Sequence, residues 1–402
     1  MRRVAWSLLL GFAFAIPWEY SLDIGEPIGN IARVVGVALL LAAVPAVLVA
    51  GRVRKPGALQ WAALIYFLWF CSTLLWTIDP TATFARLRGY FQVMMTVWLV
   101  WEFAERPQDL RDLLRAYVAG SWVLAILTVA NFGSPAVEGQ IRFMPEGQDP
   151  NDVARFLNLG FPLAALLFEG EPGWAGKLLA FGYLPLGFAG VLLTASRSGF
   201  VAALVALAGC GLIMARKHLR GLAAGAFALP VVAGALFLLA PRETFERIAT
   251  IPQQLQGGDL NYRLNIWQAG WQAFAHAPFL GTGAGSFVSA ARLAPEDTAH
   301  NTMLAIGVEG GIVALIIAAA VFAVSVHSLL QTRGQVRAAL ATTMLVWVVS
   351  SMTATVEQSR STWLVLALIS LADRLAQENP EALEHGFSQT ERGTAEAEAA
   401  TA

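Results

Sequence analysis

Residues 31–50 read IARVVGVALLLAAVPAVLVA, twenty positions whose one polar side chain is Arg33. About 20 largely apolar residues is what a helix needs to cross the ~30 Å hydrocarbon layer of a bilayer. Similar runs lie outward from it at about 4–16, 58–76, 89–103, 113–131, 152–168, 177–194, 199–215, 221–240, 301–328, 336–355 and 361–373. The pattern predicts an all-α, polytopic membrane protein of about twelve transmembrane helices. Residues 1–376 form its membrane domain, with one larger loop at about 241–300. The first run also has the form of a signal peptide, with Arg2 and Arg3 ahead of it and Ala13-Phe14-Ala15 behind. We read it as a retained helix, because its removal would change the parity of the topology. Composition agrees: 56% of the 402 residues are hydrophobic and 14% charged, against roughly 25% charged in a soluble domain. Mean hydropathy is +0.58. The net charge of −1 and the lack of a long basic run exclude a nucleic-acid partner. Cys71 and Cys210 sit in apolar runs, so neither a disulfide framework nor a Cys-x-x-Cys metal site is available.

Orientation follows from Lys and Arg in the short loops, which are enriched on the cytoplasmic side. One set of connections holds Arg2, Arg3, Arg52, Arg54, Lys55, Arg106, Arg111, Arg115, Lys177, Arg216, Lys217, Arg220, Arg333 and Arg337, fourteen in all. The opposite set holds seven: Arg33, Arg86, Arg88, Arg142, Arg155, Arg197 and Arg360. The richer set is expected inside, which makes both termini cytoplasmic and puts 241–300 outside. Residues 377–402, rich in Glu, Ala, Thr and Gly, read as a disordered cytoplasmic tail.

Every basic residue of the outer set is an arginine. Arginine is preferred where a planar fork must hold phosphate and stay charged in a partly dry place; its general abundance in this chain is the competing explanation. Arg197, in Thr194-Ala195-Ser196-Arg197-Ser198-Gly199, lies between two apolar runs with almost no loop around it. At membrane depth it costs ~2.5–3.5 kcal/mol, so it pairs with a distant acid or binds an anion. Arg263 precedes an aromatic stretch suited to a helix at the membrane interface. Of five histidines, His300 alone begins a long apolar run at the outer boundary, in Ala299-His300-Asn301-Thr302. Its imidazole titrates near neutrality and suits a general base; a polar residue at a helix start is the alternative. HExxH, Walker A and Asp-x-Asp patterns are absent from the sequence. Gly281-Thr282-Gly283-Ala284-Gly285 lacks the spacing of a dinucleotide fingerprint and reads as a turn.

These stretches together resemble the O-antigen ligase/polymerase superfamily. The resemblance rests on Arg263 with Trp267, on Ala277-Pro278-Phe279-Leu280-Gly281-Thr282-Gly283-Ala284-Gly285-Ser286-Phe287, and on His300-Asn301-Thr302-Met303-Leu304 running to Glu309-Gly310-Gly311. Arg197 in Ser-Arg-Ser-Gly and the turn Asp149-Pro150-Asn151 are similar to family features, and the likeness covers about 140–315. Ala314 stands where the family often has a further glycine. The resemblance implies a GT-C-like glycosyltransferase of the bacterial inner membrane with a periplasmic active site. The donor would be a glycan on undecaprenyl diphosphate, and the acceptor the lipid A-core oligosaccharide. It implies His300 as catalytic base, Arg197 and Arg263 on the donor diphosphate, and inversion without metal or other cofactor. Arg86, Arg88, Arg142, Asn151, Tyr262, Asn301 and Arg360 are further candidates for substrate contacts. The compact outer loop favours a ligase over a polymerase or a protein O-oligosaccharyltransferase; a lipid-linked glycan transporter is the reading from another class.

Overall fold

The computed structural model describes residues 1–387 apart from 23, 26–28, 133–140, 172, 215–218, 241, 259–261 and 296. Among these residues the chain is all-helical. It runs α1 (Arg2–Ala15), α2 (Ile31–Ala50), α3 (Ala58–Ser72), α4 (Pro80–Phe103), α5 (Pro107–Phe132), α6 (Pro150–Gly170), α7 (Trp174–Leu193), α8 (Arg197–Met214) and α9 (Leu219–Leu239). Four short helices follow, α10 (Arg242–Ala249), α11 (Ile251–Gly257), α12 (Arg263–His276) and α13 (Phe287–Ala291). The chain then returns through α14 (Thr302–Gln331), α15 (Gly334–Ser351), α16 (Arg360–Glu378) and α17 (Pro380–Gly386).

Seven of the described helices are long and apolar enough to cross a membrane: α2, α3 with its continuation to Leu75, α5, α6, α7, α8 and α14. The remaining expected spans coincide with helices α1, α4, α9, α15 and α16, which fall short by length or hydropathy. Large apolar side chains cover the outward faces; Leu41 on α2 is 72% exposed and Leu212 on α8 is 76% exposed. Water would not tolerate so continuous an apolar coat, whereas lipid does.

The core is built around α6 and α16, which are buried along almost their whole length. Helix α6 packs against α5, α7, α8 and α15, and α16 packs against α4, α14 and α15. Local sequence sets where the helices start. At one end of the bundle, side chains of Asn30, Asp79, Asp149 and Asn301 accept backbone N–H groups of α2, α4, α6 and α14, and proline follows Asp79 and Asp149 at the first helical position. The connection 352–359 reaches the same end, where Thr302 Oγ1 donates to the Ala354 carbonyl. At the opposite end, Arg2 pairs with Glu102 and Glu105, while Arg54 pairs with Glu105 and Glu378. The start of α1 and the end of α16 therefore lie together, away from the 241–301 segment.

Two expectations need correction. The tail begins later than residue 377: α16 continues to Glu378, and Leu383 of α17 and the following Phe387 are buried, with Phe387 under the Arg111 guanidinium. Residues 388–402 lie outside the described residues. The run 301–328 is also not one straight helix. Gly311, at φ 69° and ψ −169°, breaks α14. Thr282 and Gly283 donate backbone N–H bonds to the carbonyls of Val308 and Glu309, at 2.9 and 2.8 Å, and Ile312 N–H reaches the Pro278 carbonyl at 2.8 Å. Ile78 N–H bonds the Thr282 carbonyl and Ala284 N–H bonds Thr73 Oγ1, so the glycine turn sits at the end of α3. Both ends of residues 302–310 are thus tied to connections at one end of the bundle, and the break at Gly311 sets them apart from the rest of α14. The break requires glycine: a Cβ on Gly311 would lie 2.1 Å from the Phe279 carbonyl oxygen.

Candidate active site

Three chain crossings bring arginines together above α6 and α8. Arg142 precedes α6; its Nε donates to the Thr194 carbonyl at 3.1 Å and its Nη2 to Asn151 Oδ1 at 3.3 Å. Ser196 Oγ also donates to Asn151 Oδ1, at 2.7 Å, so Asn151 joins the start of α6 to the turn before α8. Arg197 opens α8 and reaches Thr250 Oγ1 at the junction of α10 and α11, 3.1 Å away. Arg263 opens α12, and Trp267, one turn later, donates from its indole to the Ala299 carbonyl at 3.0 Å. That bond ties the Arg263 helix to the residue before His300.

His300 is half-buried and stands just outside α14, its Nδ1 3.3 Å from Thr298 Oγ1. The cap of α14 is the next residue: Asn301 Oδ1 accepts the Leu304 N–H at 3.0 Å. Capping therefore accounts for Asn301 and leaves the imidazole of His300 unassigned by the helix. Left-handed backbone marks the same places. Four described non-glycine residues have positive φ, and three belong here: Ala195 at 48°, Tyr262 at 67° and His300 at 46°. Such conformations cost about 1–3 kcal/mol each and persist where the surroundings impose them, which favours sites over scaffolding.

The electrostatics are those of an anion site. Burial lowers the proton affinity of Arg142 to about 10; Arg247 adds to the effect, Asp149 opposes it, and Arg197 and Arg263 reinforce it. Arg263 is lowered by burial too, with Asp149 opposing and Arg197 adding. Arg142 thus feels three other guanidinium groups and Arg263 feels Arg197, with Asp149 as the carboxylate that opposes both shifts. The N-termini of α6, α8, α12 and α14 open around them and add partial positive charge. His300 is pushed below its ordinary value, first by burial and then by Arg263, against Asp149, Asp297 and Asp152. At pH 7 it is a neutral imidazole, able to accept a proton. Among the described residues no group of His, Cys, Asp and Glu is placed to hold a metal ion.

The other sequence candidates are placed differently. Arg86 lies between two buried acids, paired with Glu357 and 3.4 Å from Glu309. Glu309 Oε2 in turn accepts the Gly285 N–H at 2.7 Å, so this cluster holds the glycine turn in place. Arg360 is bonded to Glu19 and Gln92. Both arginines are committed to internal pairs, which explains their presence without a substrate. Arg88 is exposed on α4, and Tyr262 is exposed in the turn before α12. Sequence reasoning missed Arg247 and Asp149 as parts of the site. Arg247 sits in Arg242-Glu243-Thr244-Phe245-Glu246-Arg247, whose alternating charges look like a solvated helix face; Asp149 was visible only as the turn that opens α6.

A many-helix membrane protein with a basic pocket and a neutral histidine at one end of its bundle is the class these features define. Residues 182–319 match the family model described as O-antigen ligase. The match includes Arg197, Arg247, Arg263, His300 and the glycine turn, and leaves Arg142, Asp149 and Asn151 outside it. No curated protein matches the chain.

Proposed function

We propose that the protein is an O-antigen ligase of the bacterial inner membrane. It transfers a glycan from undecaprenyl diphosphate to a hydroxyl of the lipid A-core oligosaccharide at the periplasmic face. Twelve helices cross the membrane in this reading, and both termini are cytoplasmic. The fourteen-to-seven asymmetry of short-loop basic residues supports that orientation. The observation that carries the activity is the convergence of Arg142, Arg197, Arg247 and Arg263 beside a histidine kept neutral.

The acceptor hydroxyl attacks the anomeric carbon while His300 takes its proton. The bond from that carbon to the diphosphate oxygen breaks, the electron pair leaves with the lipid diphosphate, and configuration inverts. Negative charge grows on the leaving oxygen, so fixed guanidinium groups stabilise the transition state more than the ground state. The arginines supply the positive charge that a divalent cation supplies in other transferases. The test uses purified protein, lipid-linked glycan, and either rough lipopolysaccharide or donor alone. Glycan joined to lipopolysaccharide supports the ligase. Lengthening of the lipid-linked glycan without lipopolysaccharide would make it a polymerase, and binding without transfer in either arm would make it a carrier.

A further inference from the structure

His300 lies in no helix: it stands between Ala299 and the Asn301 cap of α14, with φ of 46°. Two anchors hold the residues around it. On one side, Ala299 is buried with Phe287 and Ile266 in a small apolar cluster, and its carbonyl accepts the Trp267 indole N–H at 3.0 Å. On the other, Thr302 Oγ1 donates to the Ala354 carbonyl at 2.8 Å and accepts the Val356 N–H at 3.1 Å. Close packing does not supply this second anchor. A cavity of about 460 Å³ lies against the first turn of α14, with Thr302, Met303, Ile306, Glu357 and Trp363 in its walls. Polar bonds therefore set where that turn sits.

Both anchors lead back to Arg86 on α4. Phe287 follows Gly285 by two residues; the Gly285 N–H donates to Glu309 Oε2 at 2.7 Å, and Glu309 Oε1 lies 3.4 Å from Arg86 Nη2. Glu357 directly follows Val356 and accepts a hydrogen bond from Arg86 Nη1. One guanidinium thus stands between two buried carboxylates and uses a different nitrogen for each. Without it the two acids would repel each other in a place where water cannot screen them.

We propose that Arg86 is a positioning residue for His300: its forked nitrogens fix the spacing of Glu309 and Glu357, and through them the two anchors between which the imidazole stands. Arg86 touches no substrate in this reading. It acts by keeping His300 beside Arg263, where a hydroxyl and a diphosphate can meet. The inference rests on the proposed function, which makes His300 the base.

The test is Arg86→Lys in the full chain in nanodiscs. Lysine keeps the positive charge but offers one nitrogen, so it holds one carboxylate and not both. The kcat of transfer should fall by about tenfold or more, with KM for the lipid-linked donor within about twofold of wild type, because the arginines of the pocket are untouched. The imidazole gives a readout that lost stability would not move. In the wild type His300 is lowered by burial and by Arg263, against Asp149, Asp297 and Asp152; once displaced it should titrate nearer its ordinary 6.5. NMR of histidine-labelled protein reads this, with the signal assigned by its loss in His300→Asn. Thr302→Val removes the bonds to Ala354 and Val356 without touching charge, so it should show the same two changes even if Arg86→Lys does not fold. Glu309→Gln keeps an oxygen for the Gly285 N–H and should retain more activity than Glu309→Ala. Ser325→Ala, beyond the break in α14, removes a bond to the Val321 carbonyl of its own helix and should change neither readout. A raised KM with unchanged kcat would make Arg86 a donor contact and overturn the proposal. So would wild-type kcat in Arg86→Lys or Thr302→Val, or a lowered melting temperature with kcat and titration unchanged. A shifted His300 titration in a protein that transfers nothing would refute the proposed activity alone. Normal transfer by the wild type with an unmoved titration in both variants would refute the positioning role alone.

Discussion

Replacing His300 by Asn separates catalysis from architecture. His300 has φ of 46°, and asparagine is among the residues that best tolerate this left-handed region, whereas alanine there adds about 1–2 kcal/mol of strain. The cap of α14 is untouched, because Asn301 provides it. A lost general base reduces rate by 10²–10⁴-fold, or about 2.7–5.4 kcal/mol in the barrier at 1.36 kcal/mol per decade. Asn301→Ala is the complementary variant: it removes a cap worth about 1 kcal/mol and should lower thermal stability by a few degrees at most. Initial rates of glycan transfer and detergent-phase melting curves, measured on both variants, give the two readouts. His300→Asn should melt like wild type and transfer almost nothing. Acidity provides a further check. The proton affinity of His300 is lowered from its ordinary 6.5, so the neutral, active form persists below that pH and is lost as pH falls through the lowered value. Asp149→Asn removes an opposing charge and should move this acid limb to still lower pH. Transfer by His300→Asn within tenfold of wild type, or an acid limb above pH 6.5, would refute the base assignment.

Arg197→Lys and Arg263→Lys keep charge but lose the forked donors, so each should lose most of its transfer activity in the purified assay; full activity in both would reduce the pocket to nonspecific attraction. Arg247→Gln should raise KM for the donor several-fold, read from donor titrations at saturating acceptor. Gly311→Ala places a Cβ 2.1 Å from the Phe279 carbonyl oxygen and forces an L-residue into a glycine region, so the yield of folded protein in detergent should collapse. A cysteine at the exposed Ser289 should be labelled by an impermeant maleimide on intact spheroplasts; labelling only after permeabilisation would invert the topology.

Much of the helical layout was legible because a membrane imposes its own length scale on sequence. Every apolar run read from the chain coincides with a helix, and Asp79-Pro80 and Asp149-Pro150 mark helix starts as their chemistry requires. The break in α14 was not legible. Glu309-Gly310-Gly311 is flanked by apolar residues on both sides, and glycine is common in membrane helices. What makes Gly311 leave the helix is the turn 277–285 docking against it, a contact that local propensity does not encode. Hydropathy also counted 301–328 as one span, although the chain between Thr302 and Gly310 stays at the bundle end.

The arginines show the same limit in the site itself. Arg86, Arg142, Arg197, Arg263 and Arg360 are alike in type and fall on the same side by topology. Their difference lies in the acids that folding delivers: Glu357 reaches Arg86 from 271 residues away, and Glu19 reaches Arg360 from 341. A paired arginine is neutralised locally and can brace the scaffold, as Arg86 does beneath the glycine turn through Glu309. Around Arg142 and Arg263 the opposing acid is Asp149, one carboxylate for two guanidinium groups. Holding that excess of charge partly buried has a desolvation cost, and a site that binds a diphosphate has a reason to bear it. Burial pushes His300 below its ordinary value, and Arg263 adds to this because a second positive charge beside it is disfavoured. The cationic pocket and the neutral base thus go together: Arg142 and Arg263 are held partly buried near His300, with Asp149 as the opposing carboxylate.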